Sequence, residues 1–271
     1  MIPLEDNFSD VIGKAQRGLR LSDTELAEKA RVSSQKIKKL REGELDELAL
    51  LRVAGVLDLA ARALCELAAN EWHPKKAELD GLAQFSTRYH DVTVNSYVVW
   101  EKGSKTAAAF DTGADCSDML AFAKKQNLSI KMILLTHTHT DHLADLPRLR
   151  EETGATIYAS SREPIPGAEL IEEGKHFRLG KLDIETRLTW GHSRGGLTYV
   201  INGLARPVAV VGDSLFAGSM GGGSISYEDA LQNNLKKILT LPDQTIICPG
   251  HGPMTTVGEE KVHNPFFAGK L

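Results

Sequence analysis

An α/β domain preceded by a small all-helical domain is the fold class that this 271-residue sequence predicts. Three observations predict it. Up to about residue 72 apolar residues recur at helical spacing; from about Gly81 short runs rich in β-branched residues alternate with helical stretches; between them lies NEWHPKKAEL, charged and carrying Pro74. Residues 1–72 are therefore read as the helical domain, 73–80 as a linker and 81–271 as the α/β domain. With 42% hydrophobic side chains the chain has material for one large or two modest cores.

In the first part the helical series runs Leu19, Leu21, Leu26, Ala27, Ala30, then Ile37 and Leu40, then Leu48, Leu51, Val56 and Leu57, then Leu59, Leu64 and Leu67. Breaks fall at Arg31-Val32 and at Gly43. Ser22 with Glu25 reads as a capping box, in which each side chain satisfies the other residue's free backbone N–H. Ser33 or Ser34 is placed to cap the next helix. In the second part VTVNSYVVW and TAAAFDTGAD read as strands, SDMLAFAKKQ as a helix, and IKMILL as a strand running into THTHTDH. ATIYAS, LDIETRLTW, LTYVI, PVAVVGDSLF and TIICPGHG follow as strands, with a helix from Tyr227 to about Leu239. The patch SMGGGS at 219–224 is expected to be a flexible loop.

No stretch approaches the roughly 20 apolar residues of a membrane span. The start MIPLEDNFSD lacks the basic and apolar segments of a signal peptide, so a cytoplasmic protein with no membrane partner is expected. Cys65, Cys116 and Cys248 are far apart and odd in number, and read as reduced structural thiols. A net charge of -4 gives no global attraction to nucleic acid or anionic membranes.

THTHTDH, residues 136–142, crowds metal-capable side chains at the end of a strand. In an extended segment residues two apart point to the same side, so His137 and His139 can share one metal ion. Asp141 and His142 stand on the loop beyond, turned to serve a second ion. GHS at 191–193, GDS at 212–214 and PGHG at 249–252 each follow a strand and each offer one ligand beside a glycine: His192, Asp213 and His251. Imidazole and carboxylate donors without thiolate suit zinc, iron(II) or manganese. Two cations close together lower the pKa of a water between them from near 16 toward about 7. Hydroxide is then the expected nucleophile, and no serine or cysteine nucleophile is required.

The ordered set HxHxDH, H, D, H resembles that of the metallo-β-lactamase-fold hydrolases over roughly residues 80–271. The resemblance implies an αββα four-layer sandwich and two divalent metal ions per chain, zinc first, with iron or manganese as alternatives. It implies that His137, His139 and His192 hold one ion, that Asp141, His142 and His251 hold the other, and that Asp213 bridges them. Asp141 is also expected to orient the attacking hydroxide, and Asp111 in FDTGAD matches an aspartate that steadies the metal-binding loop.

Within that family, GDSLFAGSMG together with LPDQTIICPGHGPMTTVGEEKVHNPFF is similar to the compact glyoxalase II-like enzymes, which cleave thioesters of hydroxyacylglutathione type. A thiolate leaves readily, so such a reaction asks for hydroxide and little acid help. The resemblance implies a small-molecule thioester or ester as substrate. The arginine that compact relatives often place after GS(I/M)G is a glycine here, and Arg194, where the family usually has proline, is the candidate for gripping an anionic substrate. A β-lactamase is disfavoured because many of those carry cysteine where Asp213 stands, and the nucleases of this fold carry a large inserted domain. A mononuclear iron persulfide dioxygenase shares most of the seven positions and is the alternative that a metal count separates.

LSDTELAEKARVSSQKIKKLREGELDELALLRVAGVL resembles the helix-turn-helix of the phage-repressor (XRE-like) family, over about residues 8–68. That resemblance implies a helix over residues 33–42 entering the major groove and presenting Ser34, Gln35, Lys36, Lys38 and Lys39 to DNA, and it carries the family expectation of a homodimer. Arg31 stands where the family has its turn glycine, and Arg41 where it often has an acid. Residues 1–75 hold 12 Lys plus Arg and 13 Asp plus Glu, a net of -1, against which KIKKLR is a local basic run. Two functions of different class follow. One is a dinuclear hydrolase with the helical domain as an interaction module; the other is a transcription regulator whose hydrolase domain senses or turns over a ligand. The complete metal set favours the first, because a pure sensor need not keep the bridging aspartate.

Overall fold

The structure, a computed structural model, describes residues 2–270. Its first part consists of α1 (Phe8–Gly18), α2 (Asp23–Ala30), α3 (Ser34–Arg41), α4 (Glu47–Val56) and α5 (Ala61–Ala68). Capping boxes open α1 at Asn7 with Asp10 and α2 at Ser22 with Glu25, and the Ser33 hydroxyl caps α3. Arg31 ends α2 in the left-handed conformation at φ 53°, where helices more often place glycine. The helical series begins earlier than Leu19: α1 buries Phe8, Val11, Ile12 and Ala15, an i, i+3, i+4, i+7 stripe. Leu19 instead falls at the C-cap of α1 and is 40% exposed.

From Leu82 onward the chain builds two six-stranded sheets. The first runs, in spatial and sequence order, β1 (Leu82–Tyr89), β2 (Val92–Trp100), β3 (Thr106–Phe110), β4 (Ser129–Leu134), β5 (Thr156–Ser160) and β6 (Glu169–Ile171). Its first three strands pair antiparallel and the rest parallel. Parallel pairing needs crossovers, which α6 (Ser117–Lys125) and the pair α7 (Thr140–Leu143) and α8 (Leu146–Thr153) supply. The second sheet holds β7 (His176–Leu179), β8 (Leu182–Leu188), β9 (Leu197–Asn202), β10 (Val208–Gly212), β11 (Ile246–Pro249) and β12 (Thr255–Thr256), again in consecutive order. Between β10 and β11 run α9 (Tyr227–Asn233) and a π-helical turn over Asn234–Ile238, and α10 (Val257–His263) follows β12. The helix expected from Tyr227 is thus α for its first half only.

Strand alternation sorts side chains between layers. Tyr97, Val99, Ala108 and Phe110 point to the core between the sheets, where they meet Ile184, Tyr199, Ile201 and Val210. Val98, Ala107 and Ala109 point the other way, onto Met119 and Ala123 of α6 and Leu146 and Leu149 of the α8 segment. The outer face of the second sheet is Val200, Ala209, Val211 and Ile247, and it shares one core with Leu26, Ile37, Leu50, Leu64, Phe266 and Phe267. The result is an αββα sandwich in which α1–α5 contribute to one outer layer.

Polar contacts fasten that layer. The Ala60 N–H donates to the Pro265 carbonyl at 2.7 Å, Glu66 faces His263 at 2.8 Å, and the His263 ring stacks on Trp72 at 4.9 Å. The connection NEWHPKKAEL carries no helix or strand, yet Ala77 is buried in the inter-sheet core and the Lys75 N–H donates to Glu259 at 2.9 Å. No helix among the described residues is long and apolar enough to cross a membrane. Removing residues 1–72 should bare the apolar outer face of the second sheet and yield an aggregating product, read as soluble yield and elution volume. A soluble, monomeric remainder would contradict the shared core.

Candidate metal centre

The functional side chains gather where β3, β4, β8, β10 and β11 end. Asp111, the residue after β3, is buried and adopts φ 56°, a left-handed conformation that aspartate tolerates better than most residues. Its carboxylate accepts the Thr136 N–H and the Thr136 hydroxyl, each at 2.7 Å, and so fixes the start of the loop that follows β4. It also lies 2.8 Å from Nδ1 of His142. With Nδ1–H donated there, His142 presents Nε2 to the site. His192 and His251 are aimed in the same way, with Nδ1 on the Gly222 carbonyl at 3.0 Å and on the Thr93 carbonyl at 2.7 Å.

Two groups result. In the first, one ligand-type atom from each of His137, His139, His192 and Asp213 lies within 4.8 Å of all the others; in the second the same holds for Asp141, His142 and His251. His139 Nδ1 is 3.0 Å from His137 Nε2 and 3.1 Å from His192 Nε2. Asp213 reaches across: one oxygen is 3.4 Å from Nε2 of both His192 and His251, and the other is 3.3 Å from Nε2 of His142.

The donor set fits divalent cations. His142 Nε2 and Asp213 Oδ1 are buried and have no hydrogen-bond partner among the described residues. Leaving a buried polar atom unpaired costs about 1–3 kcal/mol, a cost that coordination would remove. Five imidazoles and two carboxylates, with no thiolate, suit zinc, iron or manganese. Burial and the neighbouring imidazole of His142 hold His137 well below its ordinary pKa, and burial holds His192 below its own. Burial works the same way on His142 and His251, but it is outweighed. Asp213 and Asp111 push His142 up to about 10, and Asp141 with Asp213 push His251 up to about 11. Asp213 in turn is held far below the usual carboxylate range by His142 and His251, against its burial. The carboxylates thus favour positive charge at His142 and His251, while burial and neighbouring imidazoles disfavour it at His137 and His192.

Of the other sequence candidates, Arg194 is exposed; its backbone N–H donates to Glu163 at 2.7 Å, and its side chain makes no hydrogen bond among the described residues. Ser34, Gln35, Lys36, Lys38 and Lys39 stand exposed on α3 and are not brought to either group. There Lys36 meets Asp46 at 2.6 Å, Lys38 meets Glu42 at 3.8 Å and Lys39 meets Glu44 at 2.6 Å. The SMGGGS stretch is no slack loop: Ser219 and Met220 are fully buried, and the Gly222 carbonyl orients His192.

Sequence reasoning missed the contribution of the N-terminal segment. Glu5 packs beside Gly252, next to His251, and its carboxyl is raised above the ordinary value by burial. The Phe216 ring meets His251 edge-on at 5.6 Å, and the Lys14 ammonium sits 4.9 Å from the Phe216 ring centre. Nothing in MIPLEDNFSD or in α1 signals this, because only tertiary packing brings them there.

An αββα sandwich carrying two imidazole–carboxylate groups at its strand ends defines a metallohydrolase class of protein. Residues 91–251 match the model of the Metallo-beta-lactamase superfamily, and the chain belongs to that family. It is 30% identical over 184 residues to the probable metallo-hydrolase YqgX of Bacillus subtilis, covering 59% of this chain and 86% of that protein. It is 28% identical over 201 residues to the hydroxyacylglutathione hydrolase GloC of Haemophilus influenzae, covering 65% and 93%. Among solved structures, BLEG-1 B3 metallo-beta-lactamase superposes with a TM-score of 0.60 at 28% identity, covering 69% of this chain and all of that one, 100%.

Asp111→Asn should keep the fold but weaken metal affinity by roughly 10–100-fold, because the amide cannot accept all three contacts. Titration of metal-stripped protein with zinc checks this, and unchanged affinity would reduce Asp111 to a turn residue.

Proposed function

We propose that the chain is a dinuclear metal-dependent hydrolase that cleaves a small-molecule thioester or related ester. The observation that carries it is the Asp213 carboxylate, which reaches His192 of one group and His142 and His251 of the other. His137, His139 and His192 would hold one ion, Asp141, His142 and His251 the second, and Asp213 both, with zinc first and iron or manganese as alternatives. When bound, two such ions supply an ionised water at neutral pH and polarise the carbonyl. Asp141 is partly exposed and lies 3.4 Å from His251, and in this reading it would hold the proton of the attacking water and orient it. Asp111 fixes His142, and the Gly222 carbonyl fixes His192, so the donor set is organised before substrate arrives.

A thioester is the favoured substrate because a thiolate leaves with little acid help, and because a similar protein is named a hydroxyacylglutathione hydrolase. The likeness to a named β-lactamase makes a β-lactam the control substrate. Thioester, lactone and β-lactam should be offered in parallel to the metal-loaded protein. The reading expects chelator-sensitive turnover of the thioester above the others; β-lactam turnover alone would contradict it.

DNA binding through α3 is the second reading, carried by five exposed residues on a helix that follows the Arg31 turn. Their lysines already face carboxylates, which lowers what phosphate would gain. If this face meets DNA, Lys38→Ala with Lys39→Ala will weaken binding and flatten its salt dependence.

A further inference from the structure

We propose that α1 forms one wall of an anion-recognition subsite beside the metal centre, with Arg17 and Arg20 as the groups that grip the remote end of the substrate. The inference rests on the hydrolase reading for the word substrate, but not for the site. A cavity of about 590 Å³ lies between α1 and the segment 222–228. Lys14, Arg17 and Arg20 line it on one side, and Gly222, Ser224 and Tyr227 on the other. Its volume is in the range of small-molecule sites. It is also next to the chemistry, since the Gly222 carbonyl that lines it accepts the Nδ1–H of His192 at 3.0 Å.

The charges around the cavity are unbalanced. Three cations line it against one carboxylate, Glu228. Lys14 is committed to Asp6 and to the Met220 carbonyl. Arg17 and Arg20 are exposed, and neither side chain makes an ion pair or hydrogen bond among the described residues. On α3, by contrast, every lysine meets a carboxylate. Arg17 also converges on Arg41: a Cβ built on Gly13 would lie 3.1 Å from Arg17 Nη1 and 3.0 Å from Arg41 Nη2. Arg41 donates to Gln16 Oε1 at 2.8 Å and does not line the cavity, so its guanidinium adds positive field behind Arg17, whose planar fork, like that of Arg20, matches carboxylate or phosphate oxygens.

The wall is rigid enough to specify a ligand. α1 buries Phe8, Val11, Ile12 and Ala15 in the shared core. At Gly18 the helix lies directly on Tyr227, whose ring would be 2.2 Å from any Cβ there. The backbone that carries Arg17 and Arg20 is thereby held against the loop that orients His192. The ligand class this selects is an acyl thioester or ester whose leaving half bears carboxylates or phosphates.

The test compares three acetyl thioesters on the metal-loaded full chain: of coenzyme A, with phosphates; of glutathione, with carboxylates; and of N-acetylcysteamine, uncharged. Alongside, calorimetry follows binding of the unreactive thioethers S-methyl-coenzyme A and S-methylglutathione. For the intact protein kcat/KM should favour at least one charged thioester over the neutral one, and which one tells phosphate from carboxylate. In Arg17→Ala with Arg20→Ala that ratio should fall about tenfold or more per guanidinium, through KM rather than kcat, with Arg17→Lys recovering only part. Equal use of charged and neutral thioesters, or a charge preference that survives the double substitution, overturns the subsite. So does failure of both thioethers to bind. Thioether binding that the double substitution abolishes, in a protein that hydrolyses no thioester, upholds the subsite and rejects the hydrolase reading instead.

Discussion

Asp213→Ala should abolish hydrolysis while leaving the helices and both sheets folded. Among the described residues Asp213 is the side chain whose oxygens approach members of both groups, at 3.3 Å from His142 and 3.4 Å from His192 and His251. Its loss would remove the carboxylate shared by both proposed positions, and metal content should fall below the two ions per chain proposed above, to one or none. Metal ions contribute several kcal/mol to stabilising the charge of such a transition state, so kcat/KM should drop by at least ~10³-fold. Elemental analysis and turnover on the same sample, with circular dichroism as the check on folding, measure all three. Full turnover with two ions still bound would mean that the site has been assigned wrongly.

The second large effect is expected at a residue that binds nothing. A Cβ at Gly250 would lie 2.1 Å from Asp213 Oδ1 and 2.6 Å from His142 Cε1, far inside van der Waals contact. The backbone there has little freedom to retreat, because the Gly250 N–H donates to Gly212 at 2.9 Å and its carbonyl accepts the Asn95 N–H at 2.7 Å. Gly250→Ala must therefore displace the carboxylate or the imidazole. A misplacement near 1 Å can cost about 10²-fold in rate, and here it should cost metal as well. Substitution with retained metal and rate would show that the carboxylate has room that the contacts deny.

What the sequence makes legible follows from how locally each feature is encoded. THTHTDH places four ligand-type side chains by chain geometry alone, and the residues after β8, β10 and β11 are legible as ligand types because each follows a strand and stands beside glycine. Strands β2 to β5 and β8 to β11, and α6, are legible by pattern. β1 is not, because LAQFSTRY buries only Leu82 fully and shows no apolar alternation, and the short strands β6, β7 and β12 are not, since two to four residues carry too little pattern. α1 was in reach through Phe8, Val11, Ile12 and Ala15, whereas what those residues pack against was not: an apolar stripe does not name its partner. The same limit hides Lys14 and Arg17 of α1 and Arg20 just beyond its end, which read as ordinary surface charges until α1 lies on Tyr227.

That placement gives the helical part a role tied to the site. It covers the second sheet, brings Glu5 beside His251, and faces the cavity next to His192 with unpaired guanidinium groups. Attachment by a shared core, rather than by a slack linker, suits a module that shapes the site.

Metal content per chain on freshly purified protein, followed at once by thioester turnover on the same sample, separates a dinuclear hydrolase from its alternatives. A dinuclear hydrolase carries two divalent ions per chain and shows turnover that disappears with a chelator and returns when the metal is restored. A single ion per chain at saturation, or two ions with no hydrolysis of any thioester, would contradict it.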